Sequence, residues 1–357
     1  MGKKTIKIKF VSCGNEVRKG FLLKLLNKHF NVEICDNPEF IIAGNEGIPF
    51  EYMRYDCVRI NIMTENFSPD FTIFDYTIGF DDLKFGDRYF RLPLAMQFND
   101  GIPWKPDILS IEQANSIMHS KEFFCNFIYR HASAHGIREA LFEKLSKYKH
   151  VVSPGNFKNN IIINKKENEE TIDYPSKGGR YYCSIETKKE FLKKSKFTIA
   201  CDSVSYPGFV TEKIVDAFRC HSIPIYFGSP SIINDFNKEA FIWCKSMSEI
   251  DETVEKIIYL DKHDDAYMSM LMQCPLIEED DCVNLYNKLE DFLFQIFSQN
   301  IQSAKRRPSY YLVDEYNSRL KQYAEFWYKH EKPYRKKIRD LIRNIKLSIK
   351  KKLRGNS

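Results

Sequence analysis

The chain has 357 residues, 29% charged and 43% hydrophobic, with a formal net charge of +6. That length suits two domains with well-filled interiors, and no run of residues reaches the length of a membrane span. Its ten cysteines include no Cys-x-x-Cys pair, which argues against a disulfide framework or zinc site and for free thiols in a reducing compartment.

The opening Met1-Gly-Lys-Lys-Thr-Ile-Lys-Ile-Lys-Phe10 alternates Lys with Ile and predicts a first strand over Thr5 to Ser12. It lacks the apolar core of a signal peptide, and Ile6 spoils a myristoylation pattern. A helix is predicted over Val17 to Phe30, then strands at Asn31 to Cys35, Phe40 to Ala43 and Val58 to Met63. This alternation favours a parallel sheet. Glu65 follows the third of these strands, at the carboxyl end where α/β ligand sites form. Within the polar loop Thr64-Glu-Asn-Phe67 it reads equally well as a solvated surface carboxylate.

An irregular stretch at Ile102-Pro-Trp-Lys-Pro106 precedes a short helix, and a second α/β set starts with Glu122 to Tyr129. The predicted domains are therefore 1–118 and 119–300, with 301–357 as a helical segment and tail. Arg138 opens the helix Arg138 to Tyr148, after the loop His131-Ala-Ser-Ala-His-Gly136. On composition alone it is a surface arginine. His131 and His135 stand four apart, but Ser133 and Gly136 argue for a loop and against a metal site. Lys165 to Asp173 is a polar surface loop.

Lys196 to Trp243 is the most informative stretch. Phe197 to Ala200 reads as a buried strand, broken by Pro207-Gly208. Val210 to Phe218 is apolar at Val210, Ile214, Ala217 and Phe218, a helical spacing. Ile223 to Phe227 returns as a strand that ends at Gly228. A right-handed crossover of this kind leaves Thr211, Glu212 and Lys213 at a helix N-terminus on the carboxyl edge of a parallel sheet. Free N–H groups and the helix dipole favour an anion such as phosphate there. Lys213 suits phosphate oxygens and Glu212 suits ribose hydroxyls.

The aromatic-rich segment Ser309 to Lys332 reads as helical. Residues 333–354 hold ten Lys or Arg against Asp340, a net +9, which leaves −3 on the rest of the chain. Ile338, Leu341, Ile342, Ile345, Ile349 and Leu353 share one helical stripe within that tail. A basic amphipathic helix of this type can lie on an anionic membrane, although a helix packed on the body is the plain alternative. Nucleic acid is a poor partner, because the basic run lacks interleaved aromatics and any base-reading module.

Val210-Thr-Glu-Lys-Ile214, Ala217-Phe218 and Ile223-Pro-Ile-Tyr-Phe-Gly-Ser-Pro230 resemble the donor-binding motif of the α-1,3-fucosyltransferases, glycosyltransferase family 10. Phe71 to Leu83 with Asp87 to Pro93 resembles the bacterial members, as does the Arg138 to Tyr148 helix with the Gly-containing turn after it. These matches lie in the family's order between residues 55 and 245.

The resemblance implies the GT-B fold, two Rossmann-like α/β domains facing across a cleft. It implies an inverting transfer of L-fucose from GDP-fucose to a glycan hydroxyl, such as O3 of N-acetylglucosamine in a lactosamine-type surface glycan. Glu65 would be the general base. Arg138, Ser203, Phe209, Val210, Thr211, Glu212 and Lys213 would bind the donor, with Arg138 and Lys213 stabilising the departing GDP. No Asp-x-Asp pair occurs, so no metal cofactor is required and a divalent ion is at most stimulatory. Eukaryotic members begin with a membrane span, so the resemblance points to a bacterial, cytoplasmic form held peripherally at the membrane by its tail.

Three departures from the family leave alternatives open. Cys201-Asp-Ser-Val204 replaces its usual Phe-Glu-Asn-Ser, Phe209 replaces a Tyr, and Cys13-Gly-Asn15 replaces an aromatic pair. A lost hydroxyl alters sugar discrimination, so another GDP-sugar or a non-lactosamine acceptor fits the same reading. A membrane-tethered nucleotide-sugar binder without activity is the alternative of another class.

Overall fold

A computed structural model of the chain describes residues 2–14, 16–97, 103–132, 135–161, 185–331 and 334. The described residues form two compact units. The first draws on Met1–Gly79, Leu83–Arg91 and Lys288–Ser357, the second on Phe80–Asp82 and Leu92–Asn287.

The first unit is built on β1 (Thr5–Val11), α1 (Glu16–His29), β2 (Asn31–Ile34), β3 (Phe40–Ala43), β4 (Val58–Ile62), β5 (Tyr76–Gly79) and β6 (Tyr89–Arg91). Its sheet runs β2-β1-β3-β4-β5-β6, and every pairing is parallel. Ile8 pairs with Phe40, Phe40 with Val58 and Ile60 with Tyr76. β3, β4 and β5 are buried at every position, which suits the continuous apolar run of β3, while Arg59, Asn61 and Thr77 are polar residues buried within β4 and β5. Edge strand β2, with Asn31 and Glu33 exposed, is the polar exception.

The second unit contains α2 (Ile111–His119), β7 (Phe123–Asn126), α3 (Ile137–Tyr148), β8 (Val151–Val152), α4 (Ile185–Lys194), β9 (Ser195–Cys201), α5 (Glu212–Arg219), β10 (Ile223–Phe227) and β11 (Ile242–Trp243). Next come α6 (Ile250–Lys262), α7 (Asp264–Leu271) and the start of α8 (Asp281–Ser298). Its parallel sheet runs β11-β10-β9-β7-β8. Phe127, Leu141, Phe197, Ile225 and Ile257 lie in one core on the α3–α6 side of it. Two α/β units with parallel sheets are the GT-B type of architecture.

Each sheet falls within the residue range predicted for it, but the compact units are grouped differently from 1–118, 119–300 and 301–357. The chain enters the second unit for good at Leu92 and leaves it within α8. α9 (Ile301–Ala304) and α10 (Tyr311–Phe326), followed by a π-helical turn over Trp327–Glu331, belong to the first unit. α10 buries Ala324 against Met53, Ile73 and Phe74, and Arg54 Nε meets Glu325 at 3.0 Å. The tail residues Ile338, Leu341, Ile342, Ile345, Ile349 and Leu353 lie outside the described residues, as does the loop Lys165 to Asp173. Among the described residues no helix is long and apolar enough to cross a membrane.

Asp75 ties the returning segment to the first sheet. Its carboxylate is fully buried and accepts the Arg59 N–H at 2.7 Å and the N–H groups of Arg306 and Arg307 at 2.7 and 3.0 Å. Arg307 Nη1 lies 3.2 Å from its second oxygen. Burial, reinforced by the neighbouring Arg307 charge, lowers the Arg59 guanidinium to about 10 while Asp75 pulls it back up. Asp75→Ala would strand two cations and three N–H groups, so unfolding in urea should become easier by about 3–5 kcal/mol. Asp87→Ala, which removes the half-exposed partner of Arg306, should cost ~1 kcal/mol or less.

Candidate nucleotide site in the second unit

The carboxyl ends of β7 and β9 and the start of α5 surround a cavity of about 520 Å³, a size suited to a small-molecule ligand. Two turns shape it. Tyr206-Pro207-Gly208-Phe209 is closed by Phe209 N–H donating to the Tyr206 carbonyl at 3.1 Å, with Gly208 at φ +80°. Pro and Gly occupy the two central positions that a type II turn requires. A Cβ on Gly208 would also collide with the Phe80 carbonyl. Behind β8, Gly155 passes so close to Tyr129 that its Cβ would sit 2.6 Å from the Tyr129 carbonyl oxygen.

Four of the predicted donor residues line this cavity: Arg138, Ser203, Glu212 and Lys213. Arg138 is 6% exposed and stacks over the Tyr129 ring at 4.1 Å. It donates to the carbonyls of His131 at 3.3 Å and Asp202 at 3.1 Å. Among the described residues its Nε has no hydrogen-bond partner and no carboxylate forms an ion pair with it. That leaves a buried positive charge for an anion to neutralise. Ser203 is exposed at the rim.

Thr211 is the N-cap residue of α5, but its side chain makes no capping bond. Its hydroxyl donates to Asp202, and its own N–H points to the same carboxylate at 3.5 Å. Lys213 Nζ donates to Thr211 Oγ1 at 2.9 Å and stands 3.8 Å from both Asp202 and Glu212. Burial raises the Glu212 carboxyl, but the ammonium groups of Lys213 and Lys188 outweigh it and hold the group below its ordinary value. Glu212 is thus an acceptor-only carboxylate, as hydroxyl recognition requires.

Phe209 and Val210 turn away from the cavity. Phe209 packs edge-on against Phe80 with centroids 5.1 Å apart, and the Val210 carbonyl accepts the Ala95 N–H at 2.8 Å. Both side chains are buried, so they position the turn and present no group to a ligand. Glu65 belongs to the first unit, where it is exposed just beyond β4 and makes no side-chain hydrogen bond or ion pair with the described residues. His131 lines the cavity at the point where its carbonyl holds Arg138. No group of His, Cys and carboxylate side chains able to hold a metal occurs among the described residues.

Asp202 is the residue that sequence reading passed over. It follows β9 and is 1% exposed. Besides the Thr211 hydroxyl it accepts the Tyr226 hydroxyl at 3.0 Å, and Tyr226 in turn accepts the Ser229 N–H at 2.8 Å. Burial pushes its carboxyl up to about 6, with the Lys213 charge and the two hydroxyls pulling it back. A carboxylate placed directly after Ile199-Ala-Cys201, the apolar end of a buried strand, was the available signal.

A carboxyl raised by folding binds its proton more tightly in the native state. Its stabilising contribution is therefore complete below the ordinary carboxylate range and is lost as pH rises through about 6. Urea titrations from pH 4 to 7 should show Asp202→Asn with a flatter pH dependence than the parent chain, by ~2 kcal/mol across that window. Parallel curves for the two proteins would mean that Asp202 does not titrate there.

Residues 8–98 match the alpha-(1,3)-fucosyltransferase FucT N-terminal domain, and residues 118–272 match the C-terminal region of glycosyltransferase family 10 (fucosyltransferase). The alpha-(1,3)-fucosyltransferase FucT of Helicobacter pylori is 30% identical over 307 residues, covering 77% of this chain and 60% of that protein. The chain thus spans well under two thirds of that relative's length. A crystal structure of an alpha1,3-fucosyltransferase superposes with a TM-score of 0.64 at 26% identity, covering 87% of this chain and 94% of that one. A structure of such an enzyme with GDP-fucose gives 0.61 at 27% identity, covering 84% and 92%.

Proposed function

Because the chain belongs to glycosyltransferase family 10, the fucosyltransferases, we propose that it transfers L-fucose from GDP-fucose to a glycan hydroxyl with inversion. The observation that carries this reading is the cavity that joins Arg138, Glu212, Lys213 and the uncapped start of α5. Two positive groups and a helix N-terminus suit a diphosphate, and an ionised Glu212 suits ribose hydroxyls.

In the proposed reaction the acceptor oxygen forms a bond to the anomeric carbon as the bond from that carbon to the β-phosphate oxygen breaks. The electron pair leaves with GDP, whose added negative charge Arg138 and Lys213 stabilise without a required metal. Glu65 takes the acceptor proton as general base. O3 of an N-acetylglucosamine unit in a lactosamine-type surface glycan is the proposed acceptor. The basic tail, with Ile338, Leu341, Ile342, Ile345, Ile349 and Leu353 on one stripe, would hold the enzyme on the cytoplasmic face of an anionic membrane, each cation contributing about 1 kcal/mol.

GDP release from GDP-fucose over a panel of lactosamine-type acceptors tests the reading. Glu65→Gln should lower acceptor-dependent release by roughly 10²–10⁴ while GDP still binds as in the parent chain. Arg138→Ala and Lys213→Ala should weaken GDP binding itself. Turnover with a different GDP-sugar and none with GDP-fucose would replace the donor in this proposal. GDP bound tightly, with no turnover and no change in Glu65→Gln, would favour a binding protein.

A further inference from the structure

The cavity is lined by two asparagines whose side-chain oxygens have no hydrogen-bond partner among the described residues. Asn126 closes β7 and is completely buried. Its Nδ2 donates to the Phe197 carbonyl at 3.3 Å and to Thr198 Oγ1 at 2.7 Å. A backbone carbonyl can only accept, so the Phe197 contact fixes the amide orientation and identifies Oδ1 as the atom left over. Asn126 Oδ1 has no partner, and the residue lines the cavity. Asn156, on the loop after β8, lines the same cavity, and its buried Oδ1 is also unpartnered.

Buried acceptors are satisfied in nearly all native structures, so a pair left open beside one cavity calls for a ligand with donors. These atoms are neutral, unlike the cationic groups Arg138 and Lys213 on the same wall. They are unsuited to phosphate, which only accepts. Among the common nucleobases, guanine presents an N1–H and a 2-amino group side by side on one edge. Uracil offers one N–H between two carbonyls, and adenine offers one amino group beside a ring acceptor. Two acceptors in one pocket therefore favour guanine.

We infer that Asn126 and Asn156 accept hydrogen bonds from the N–H edge of a guanine base and set the nucleobase that this cavity takes. This rests on the nucleotide-sugar reading above and adds residues that determine its specificity. Neither residue belongs to the Val210 to Ile214 motif, and neither acts on the transferred sugar.

Calorimetric titration of the full chain with GDP, inosine diphosphate and ADP tests the inference. Inosine diphosphate lacks only the 2-amino group and should bind about tenfold more weakly than GDP, and ADP more weakly still. In Asn126→Ala the preference for GDP over inosine diphosphate and ADP should shrink by about tenfold. That variant also removes two donors to β9, but a purely structural loss would weaken all three nucleotides alike and leave their ratios intact. Asn156→Ala breaks no hydrogen bond among the described residues and should reduce the preference while leaving the melting temperature unchanged. Equal affinity of the parent chain for GDP and inosine diphosphate, or ratios unchanged in both variants, would overturn the inference and leave the nucleotide site standing. If none of the three binds, the nucleotide-sugar reading falls first and takes the inference with it.

Discussion

Asp202 holds a carboxylate where almost no solvent reaches it, at the point where β9 ends and the chain turns toward α5. Burying an ion costs several kcal/mol unless neighbours replace its water. Thr211 and Tyr226 replace it with hydroxyl hydrogen bonds, and Lys213 adds a positive charge at 3.8 Å. Each neighbour is thereby committed. The Thr211 hydroxyl is turned to Asp202, and it makes no capping bond to the helix it begins. Tyr226 joins the network to the end of β10 through the Ser229 N–H. A side chain at Gly228 would run into both the Tyr226 hydroxyl and Asp202. The placement of Lys213 follows from accommodating one buried charge.

Asp75 answers a similar problem in the first unit with a different result. It too is a carboxylate sealed away from water, but its partners are backbone N–H groups of Arg59, Arg306 and Arg307 plus one guanidinium. Backbone donors cannot move away when a ligand arrives, so this network closes a structure. The Asp202 network rests mainly on the Thr211 and Tyr226 hydroxyls, with a Thr211 N–H at 3.5 Å and Lys213 of the cavity wall at 3.8 Å, so most of it can be re-partitioned when an anion binds. The chemistry of the donors separates an architectural carboxylate from one that serves a site.

The strands and helices that could be read from sequence were those whose pattern has a single source. β3 and β10 are apolar because both faces are covered, β4 and β9 carry apolar runs that are buried in the same way, and the ends of all four were predicted to within a residue or two. β5 and β6 were recognised only as parts of a family motif. Tyr76-Thr-Ile-Gly79 and Tyr89-Phe-Arg91 are too short and mixed to show a period, and pairing with a neighbouring strand defines them. Arg138, Glu212 and Lys213 were legible through resemblance, and the cavity brings them together. Phe209 and Val210 stand beside the same motif, but both are buried in the packing around the turn and neither lines the cavity. Asn126 carried no signal, because an asparagine at a strand end shows its unpaired oxygen only when its neighbours are in place. The docking of α10 was hidden for the same reason, since Ala324 looks unremarkable until Met53 and Phe74 surround it.

The cavity wall therefore divides by chemistry. Arg138 and Lys213 bring positive charge, with the Arg138 Nε unpaired and the guanidinium backed by an aromatic ring. Asn126 and Asn156 bring neutral acceptors, and Leu192 and Ile199 bring apolar surface between polar neighbours. A free phosphate would satisfy the cations and leave the amide oxygens desolvated and unpaired. A neutral sugar would leave the cations unanswered. Only a ligand with an anionic end, a flat apolar body and an edge of N–H donors meets all three demands at once, because in a buried site each group left unmatched subtracts from the affinity that the others supply.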